Sequence, residues 1–418
     1  MEEKTLKRSR VMYIIEAGLE YLIAILVSGT FLAQLTGALG FSDSLTGILS
    51  SIISLGCLFQ MLSVFYRRKT VKKYVVGLSI ANQLLFMLLF VIPLGENIPS
   101  GVKTALFIGL IVIAYFLYYI AHPKKINWLM SLVDPAERGS FTAVKEIISL
   151  IMGIVFSLLM GRLVDYYKDR GEIRTAFLFC GAAVFLLTVG HTLTLLFSAE
   201  PEMPQPERKK GAMLSLLKDK TVWKIALLFS GWYLASYVST PFYGAYQIET
   251  LGFSQSLSVA LASAGSVIRM FVELPWGRYA DRNSFAAMLR GCMIFAFLSF
   301  VSAAFARPGT GIVCIALYQI FQGIAAGGIS SALINVVFES VSPEKRADSL
   351  AVTQAIAGTC GFLATLAVSP LISFVQNNGN RLFSIPIYAQ QVTSVISAVL
   401  IVLTVLYLTF VIMKKKKN

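Results

Sequence analysis

The sequence predicts an all-α integral membrane protein with twelve transmembrane helices in two pseudo-symmetric halves of six. Three observations support this fold class: few charges, uncharged runs of membrane-spanning length, and an internal repeat at about half the chain length. Of the 418 residues, 56% are hydrophobic and only 14% are charged. Soluble chains carry about a quarter charged residues. The composition therefore excludes a soluble globular enzyme, a disordered chain and a fibrous protein.

The spans follow from the positions of the charges. A helix that crosses a bilayer needs about 20 predominantly apolar residues. Most of the predicted spans are uncharged runs of about this length, and three shorter ones have charged flanks. In chain order the twelve predicted spans are Tyr21–Ser42, Ser44–Tyr66, Tyr74–Gly95, Thr104–Ala121, Ile147–Gly161, Thr175–Ala199, Ile225–Ile248, Thr250–Ile268, Gly291–Ala306, Pro308–Phe338, Ser349–Asn380 and Leu382–Met413.

The distribution of Lys and Arg predicts that both termini lie in the cytoplasm. Of the 36 Lys and Arg residues, 28 fall in segments predicted to be inside and 7 in loops predicted to be outside. Cytoplasmic segments carry an excess of positive charge, and both ends of the chain are basic. The net charge of +14 therefore reflects membrane topology, and we expect no nucleic-acid partner.

Cysteine and histidine give no indication of a metal or redox site. The five cysteines lie in apolar spans, and none are spaced as a C-x-x-C pair. The sequence therefore predicts neither a disulfide framework nor a metal site, and it indicates no cofactor. His122 and His191 are the only histidines, and a lone histidine is a weak indication of function.

An internal repeat divides the chain. The heptapeptide Leu39–Leu45 (LGFSDSL) recurs as Leu251–Leu257 (LGFSQSL), with six of seven positions identical at an offset of 212. A second match pairs Ile126–Val144 with Ile334–Val352 at an offset of 208. Both offsets are close to half the length. We therefore predict a six-helix bundle over 1–197, a cytoplasmic linker over 198–221 and a second bundle over 222–418.

The loop after the eighth span carries a family signature. Gly277–Arg282 (GRYADR) resembles the G-x-x-x-D-R motif of the major facilitator superfamily, whose plan of parallel six-helix repeats also matches the repeat described above. The resemblance implies that Gly277, Asp281 and Arg282 form a latch between the halves in the outward-facing state. The corresponding first-half loop, Tyr66–Lys73, keeps the positive charge but lacks the acid and the glycine.

The resemblance also implies a function. Members of this family are secondary transporters, so we expect a monomer in the plasma membrane, surrounded by lipid, that moves a small solute by alternating access and is coupled to protons. The sequence does not indicate the substrate. A receptor, or a lipid flippase or scramblase, on the same fold is the alternative, and measured solute flux in proteoliposomes separates it from a transporter. A membrane-embedded enzyme is disfavoured because no catalytic acid–base or metal cluster is evident.

Charged residues in the first half predict a coupling site. A charge at mid-bilayer costs about 2.5–3.5 kcal/mol or more, so it needs a partner or a function. Glu16 and Glu20 are four residues apart and share one face of the first helix. The repeat aligns Asn127 with a residue inside the tenth span, which predicts a kinked fourth helix that continues past Pro123 to about Met130.

The same alignment places further charges inside the first bundle. The predicted proton-coupling or substrate charge site consists of Glu16, Glu20, Lys124, Lys125, Lys145 and Glu146. Two interpretations are open: a network that couples a proton or an ionised substrate to movement, or side chains that snorkel to the interface and stabilise loops. The second-half positions aligned with Glu20, Lys125, Lys145 and Glu146 are uncharged and carry Trp232, Leu333, Thr353 and Gln354.

The second half offers a smaller set of candidates. Arg269 and Glu273 are four apart on the eighth helix and predict an ion pair. Polar and aromatic residues that we expect to face the cavity are Asn127, Tyr233, Tyr237, Gln319, Gln322, Asn335 and Gln354. Packing is the alternative role for the tyrosines.

The topology can be tested by labelling. We expect single cysteines at Pro99 and Gln376 to react with a membrane-impermeant maleimide added outside intact cells, because the charge distribution places both loops outside. Cysteines in the linker should react only after the membrane is permeabilised. Protection of either loop position in intact cells would contradict the twelve-span topology.

Overall fold

The computed structural model describes residues 3–60, 62, 70–134, 137–201, 216–342, 345–382 and 385–413. The helices are α1 Glu3–Leu26, α2 Gly29–Ala38, α3 Asp43–Ser51, α4 Gly56–Gln60, α5 Lys72–Val91, α6 Ser100–Met130, α7 Arg138–Asp169, α8 Ile173–Phe197, α9 Lys220–Tyr237, α10 Tyr243–Ala245, α11 Gln255–Arg282, α12 Phe285–Ala304, α13 Gly311–Ser340, α14 Arg346–Asn377 and α15 Ala389–Tyr407. Shorter helical turns cover Ile52–Leu55, Ile92–Leu94, Thr240–Phe242, Tyr246–Thr250 and Leu408–Ile412. The two-residue strands β1 Arg381–Leu382 and β2 Ile385–Pro386 pair antiparallel.

Helical segments occupy all twelve predicted spans, which confirms the predicted fold class. Within the described residues, ten helices are long and apolar enough to cross a membrane, or eleven when α1 and α2, bent by 40° at a short break, count as one span. The span predicted at Ile225–Ile248 is broken instead. The long helix α9 ends at Tyr237, and Pro241 lies in the tight turn that follows. Proline lacks the N–H that would continue the helical ladder.

The chain forms two compact units. The first contains residues 1–41, 59–207 and 254–259, and the second contains residues 42–58, 208–253 and 260–418. The segments that start at Ser42 and Ser254 depart from the predicted halves, and both start at the same position of the repeated heptapeptide. Of the predicted linker 198–221, the stretch 202–215 lies outside the described residues.

The first unit is built around α1 and α5. Helix α1 packs against α7 and α8, and α5 packs against α6 and α8. One core cluster is formed by the buried side chains of Tyr13, Val75, Trp128 and Leu129. The indole N–H of Trp128 donates to the backbone oxygen of Ala199 at 2.9 Å, so this large ring is both packed and hydrogen-bonded.

The second unit packs its helices closely at glycines. Helix α12 packs against α13, and α9 against α14. A methyl group on Gly323 of α13 would overlap the backbone of Gly265 on α11, and one on Gly327 would lie 2.7 Å from Val272. Small residues let membrane helices approach at backbone distance, so these glycines permit the close packing of α13 on α11.

Both copies of the heptapeptide build the same turn. Gly40 and Gly252 have φ angles of 74° and 68°, a region that favours glycine. The hydroxyls of Ser42 and Ser254 then accept hydrogen bonds from backbone N–H groups three residues later, at 3.2 Å and 3.1 Å. The hydroxyl therefore caps the start of the following helix in each copy.

An acid of α7 contacts the second copy of the motif. The carboxylate of Asp165 accepts hydrogen bonds from the backbone N–H groups of Gln255 and Ser256 at 2.7 Å and 2.8 Å, and it also bonds the Ser256 hydroxyl. A carboxylate at a helix N-terminus satisfies free N–H groups and complements the helix dipole. This contact places residues 254–259 in the first unit.

The close approach at Gly323 can be tested by substitution. We expect Gly323→Ala to lower the free energy of unfolding by about 1–3 kcal/mol, because the added methyl group overlaps a backbone. Gly109→Ala is the matched control, since a methyl group there meets nothing within 4 Å. Thermal unfolding of the purified variants measures both changes. Equal melting temperatures for the two variants would contradict the close packing.

Candidate functional site

Two acids on α1 form the centre of a charge cluster in the first unit. Glu16 and Glu20 leave the same face of the helix one turn apart. Only 1% of the Glu16 side chain and 18% of the Glu20 side chain are exposed. A carboxylate removed from water is stable only when a cation or hydrogen-bond donors face it. The surroundings of these two acids must therefore supply positive charge.

The cation is Lys125 of α6. This helix continues through Pro123 to Met130, which confirms the predicted extension of the fourth helix. The Lys125 side chain is 3% exposed, and its ammonium lies 2.6 Å from Oε1 of Glu16 and also bonds Oε2 of Glu20. One lysine therefore bridges two carboxylates and ties α6 to α1.

His191 of α8 approaches the same two carboxylate oxygens. Its Nε2 is 3.0 Å from Oε1 of Glu16 and 3.4 Å from Oε2 of Glu20, and the side chain is fully buried. His191 is one of two isolated histidines in the sequence, a pattern that is only a weak indication of function. A signal was present, because a polar ring within a long apolar span has no water to bind and must find a partner.

Two neutral side chains complete the cluster. The Tyr118 hydroxyl of α6 donates to Oε1 of Glu20 at 3.0 Å. Nε2 of Gln83, on α5, lies 3.1 Å from Nδ1 of His191. The charge cluster therefore consists of Glu16, Glu20, Lys125 and His191, supported by Gln83 and Tyr118, and it draws on α1, α5, α6 and α8.

The cluster contains a donor set of the kind that binds metal ions. One ligand atom each from Glu16, Glu20 and His191 lies within 4.8 Å of the others. Lys125, however, already bonds both carboxylates, and its ammonium takes the place that a bound cation would need. The geometry therefore favours an ion-pair cluster over a metal centre.

A protein-family model described as the Major Facilitator Superfamily matches residues 17–369. The chain belongs to the major facilitator superfamily. A comparison with curated protein sequences finds no match.

Solved structures of transporters share the fold of this superfamily member. The nucleoside transporter NupG is 17% identical, with a TM-score of 0.72 over 96% of this chain and 99% of that one. A bacterial homologue of the human lysosomal transporter Spinster is 14% identical, with a TM-score of 0.71 over 98% and 97%. A D-xylose–proton symporter is 14% identical, with a TM-score of 0.65 over 94% and 96%. At these identities the likeness shows the fold alone.

The other predicted first-half residues lie outside the charge cluster. Lys124 is half-buried, and Asn127 is exposed. Lys145 and Glu146 lie on α7, as the repeat predicts, but the ammonium of Lys145 faces the Tyr13 ring at 5.6 Å. Glu146 is exposed and forms no hydrogen bond or ion pair with any described residue. Of the six predicted charges, the structure brings only Glu16, Glu20 and Lys125 together.

The predicted cavity residues of the second unit make contacts within that unit. The rings of Tyr233 and Tyr237 stack with centres 5.7 Å apart. Oε1 of Gln322 accepts a hydrogen bond from the Ser299 hydroxyl at 3.0 Å. Three further predicted residues are half-buried: Gln319, Asn335 and Gln354. The described contacts of Tyr233, Tyr237 and Gln322 are equally compatible with packing.

Helix α11, which is the eighth helix of the sequence prediction, carries both the predicted Arg269–Glu273 ion pair and the superfamily signature. Nε of Arg269 lies 2.9 Å from a Glu273 carboxylate oxygen, which confirms the predicted pair, and the side chains are 38% and 43% exposed. Gly277, Asp281 and Arg282 form the C-terminal end of the helix, where both charged residues are exposed. The latch role remains a prediction, and residues 66–69 of the corresponding first-half loop lie outside the described residues.

The bridging role of Lys125 predicts a large loss of stability. We expect Lys125→Met to lower the free energy of unfolding by about 3–5 kcal/mol, because it leaves two buried carboxylates without their cation. Lys73→Met, at an exposed position of α5, is the matched control and should change it by less than about 1 kcal/mol.

A variant without these three charges tests whether stability depends on charge pairing or on the packing of the side chains. The triple substitution Glu16→Gln, Glu20→Gln and Lys125→Met should recover most of the stability that Lys125→Met loses, because no unpaired charge remains. Thermal unfolding of the purified variants measures the comparison. A triple variant that is less stable than Lys125→Met would show that the pairing is not what the fold requires.

Proposed function

We propose that this chain is a secondary active transporter that moves a small solute across the cytoplasmic membrane by alternating access, and that proton binding at the charge cluster drives the transport. The observation that carries the proposal is the bridge of Lys125 between two buried carboxylates of another helix. Superfamily membership and the transporter fold support the transport function, as opposed to enzymatic catalysis.

Charge balance explains why such a cluster can bind a proton. Glu16 and Glu20 bring two negative charges, and Lys125 brings one positive charge. In a low-dielectric interior the remaining negative charge is costly unless a proton or another cation neutralises it. A bound proton also weakens the attraction between the carboxylates and Lys125. The proton therefore changes how firmly α6 is held to α1, which is the kind of two-state contact that coupling requires.

A gate for the proton lies at Glu20. Its side chain is 18% exposed, whereas those of Glu16 and Lys125 are 1% and 3% exposed. The hydroxyl of Tyr118 donates to the carboxylate oxygen that Lys125 does not bond. Glu20 is thus the member of the cluster that an incoming proton or an ionised solute reaches first.

The structural relatives support the class of mechanism but not a substrate. One of them is a symporter of D-xylose and protons, and another transports nucleosides. We carry over only the class, a small solute moved with or against protons. We further propose a monomer in the plasma membrane with cytoplasmic termini, in keeping with the Lys and Arg distribution.

The substrate can be sought with the purified protein. A thermal-shift screen against a broad metabolite library identifies a ligand, because binding raises the melting temperature of the folded state. The labelled ligand then serves in proteoliposomes with an imposed pH gradient. Failure of every stabilising ligand to cross the membrane would favour a receptor over a transporter.

If the charge cluster couples transport to protons, a variant of Glu20 should lose proton-driven accumulation. We expect Glu20→Gln to reduce accumulation of the identified ligand under an inward proton gradient by about tenfold or more, because the variant cannot exchange a proton at that position. Glu146→Gln is the matched control, since Glu146 lies outside the cluster, and it should accumulate ligand as the wild type does. Proton-driven accumulation that survives in a folded Glu20→Gln variant would exclude the coupling role.

A further inference from the structure

His191 lies at the point where the charge cluster needs one more positive charge. Its side chain has no exposed surface, and its Nε2 faces Oε1 of Glu16 and Oε2 of Glu20. These are the same two oxygens that the Lys125 ammonium bonds. With a neutral imidazole the cluster carries a charge of −1, and with an imidazolium it is neutral. A single proton on this ring therefore balances the cluster completely.

The other side of the ring faces an amide that fits both protonation states. Nε2 of Gln83 lies 3.1 Å from Nδ1 of His191. In this orientation the amide donates to Nδ1, so the neutral ring carries its hydrogen on Nε2 and points it at the carboxylates. Oε1 of Gln83 is buried and has no hydrogen-bond partner among the described residues. A half-turn of the amide brings that oxygen to Nδ1, where it accepts the hydrogen of an imidazolium.

The titratable groups around the ring come from two helices. Helix α1 contributes Glu16 and Glu20, and helix α6 contributes Lys125. Helix α5 contributes the uncharged Gln83. The second histidine of the chain, His122 on α6, lies instead beside the Tyr118 ring, with ring centres 5.1 Å apart. The His191 ring therefore lies between two groups of partners. The two carboxylates and the Lys125 ammonium face Nε2, and the Gln83 amide, which can offer either its nitrogen or its oxygen, faces Nδ1.

We propose that His191 is the residue on which the coupling proton resides, and that Gln83 holds the ring in place in both protonation states. The inference deepens the proposed proton coupling and rests on it for its biological meaning. Proton uptake places hydrogens on both ring nitrogens: the one on Nε2 donates to the carboxylates and the one on Nδ1 donates to Oε1 of Gln83. The added proton comes from solvent and bonds to Nδ1, and the hydrogen bond from the Gln83 amide to Nδ1 is replaced by the one from Nδ1 to Oε1.

Protonation of His191 changes the helix contacts, because the imidazolium then competes with Lys125 for the same carboxylates. Lys125 and a protonated His191 share the same two oxygens, one from each carboxylate. Protonation strengthens the attachment of α8 to α1 and weakens that of α6 to α1. Loss of the proton returns both carboxylates to Lys125. His191 therefore acts as the switch.

Nitrogen-15 NMR of the histidine rings tests the protonation directly. The wild-type chain, labelled at its two histidines and purified in nanodiscs, is titrated from about pH 9 to about pH 4, the range that brackets histidine ionisation. His122→Asn assigns the signals. We expect the His191 ring to show hydrogen on Nε2 only at alkaline pH and on both nitrogens after acidification. A ring that stays neutral throughout, or one with hydrogen on Nδ1 only at alkaline pH, would overturn the proposal.

Transport of the identified ligand tests the role in coupling. We expect His191→Gln to lower the ratio of proton-driven accumulation to passive exchange by about tenfold or more, with His122→Gln as the matched control that keeps the ratio of the wild type. If Glu20→Gln abolishes accumulation while His191→Gln retains it, the carboxylates carry the proton and this inference fails, although the proposed function stands. If the His191 ring takes up a proton but no cluster variant changes accumulation, the proton site stands and the coupling proposal fails.

Discussion

The structure of the first unit depends on the rule that charges removed from water must be paired. Lys125, Glu16 and His191 are between 0% and 3% exposed, and a membrane interior offers no water to replace a lost partner. Each of the two carboxylates therefore faces both Lys125 and His191. Because these groups come from α1, α6 and α8, satisfying them fixes the register of three helices at once.

The surrounding fold is shaped to bring these groups together. Helix α6 runs through Pro123 without ending, although proline removes a backbone hydrogen bond and kinks or breaks most helices. Continuing the helix lets Lys125 project into the bundle, and the buried Trp128 packs one turn further on. Pro123 lies two residues before Lys125, so the helix continues through the proline to the level of the charge cluster.

The second unit has no comparable buried cluster among its described residues. The positions aligned with Glu20 and Lys125 hold Trp232 and Leu333, and the one described ion pair, Arg269 with Glu273, is more than a third exposed. Charge chemistry is thus concentrated in one unit. The second unit instead presents stacked tyrosines and close glycine contacts.

The sequence by itself determined the class, the spans and part of the site. Uncharged runs predict membrane helices because the bilayer sets a length and excludes charge. The repeat predicted that α6 continues beyond Pro123, and thereby placed Lys125 inside the bundle, because equivalent residues of a duplicated fold occupy equivalent depths.

Only the tertiary structure decided which residues at a given depth meet. Glu146 was predicted to belong to the charge site but is exposed, since a position along a helix does not fix the face. His191 and Gln83 join the cluster, yet His191 is 175 residues from Glu16 and stands alone in an apolar run. The break after Tyr237 was likewise hidden by continuous hydrophobicity. Periodicity and hydropathy are local properties, whereas the pairing of buried polar groups depends on the packing of helices that are distant in the chain.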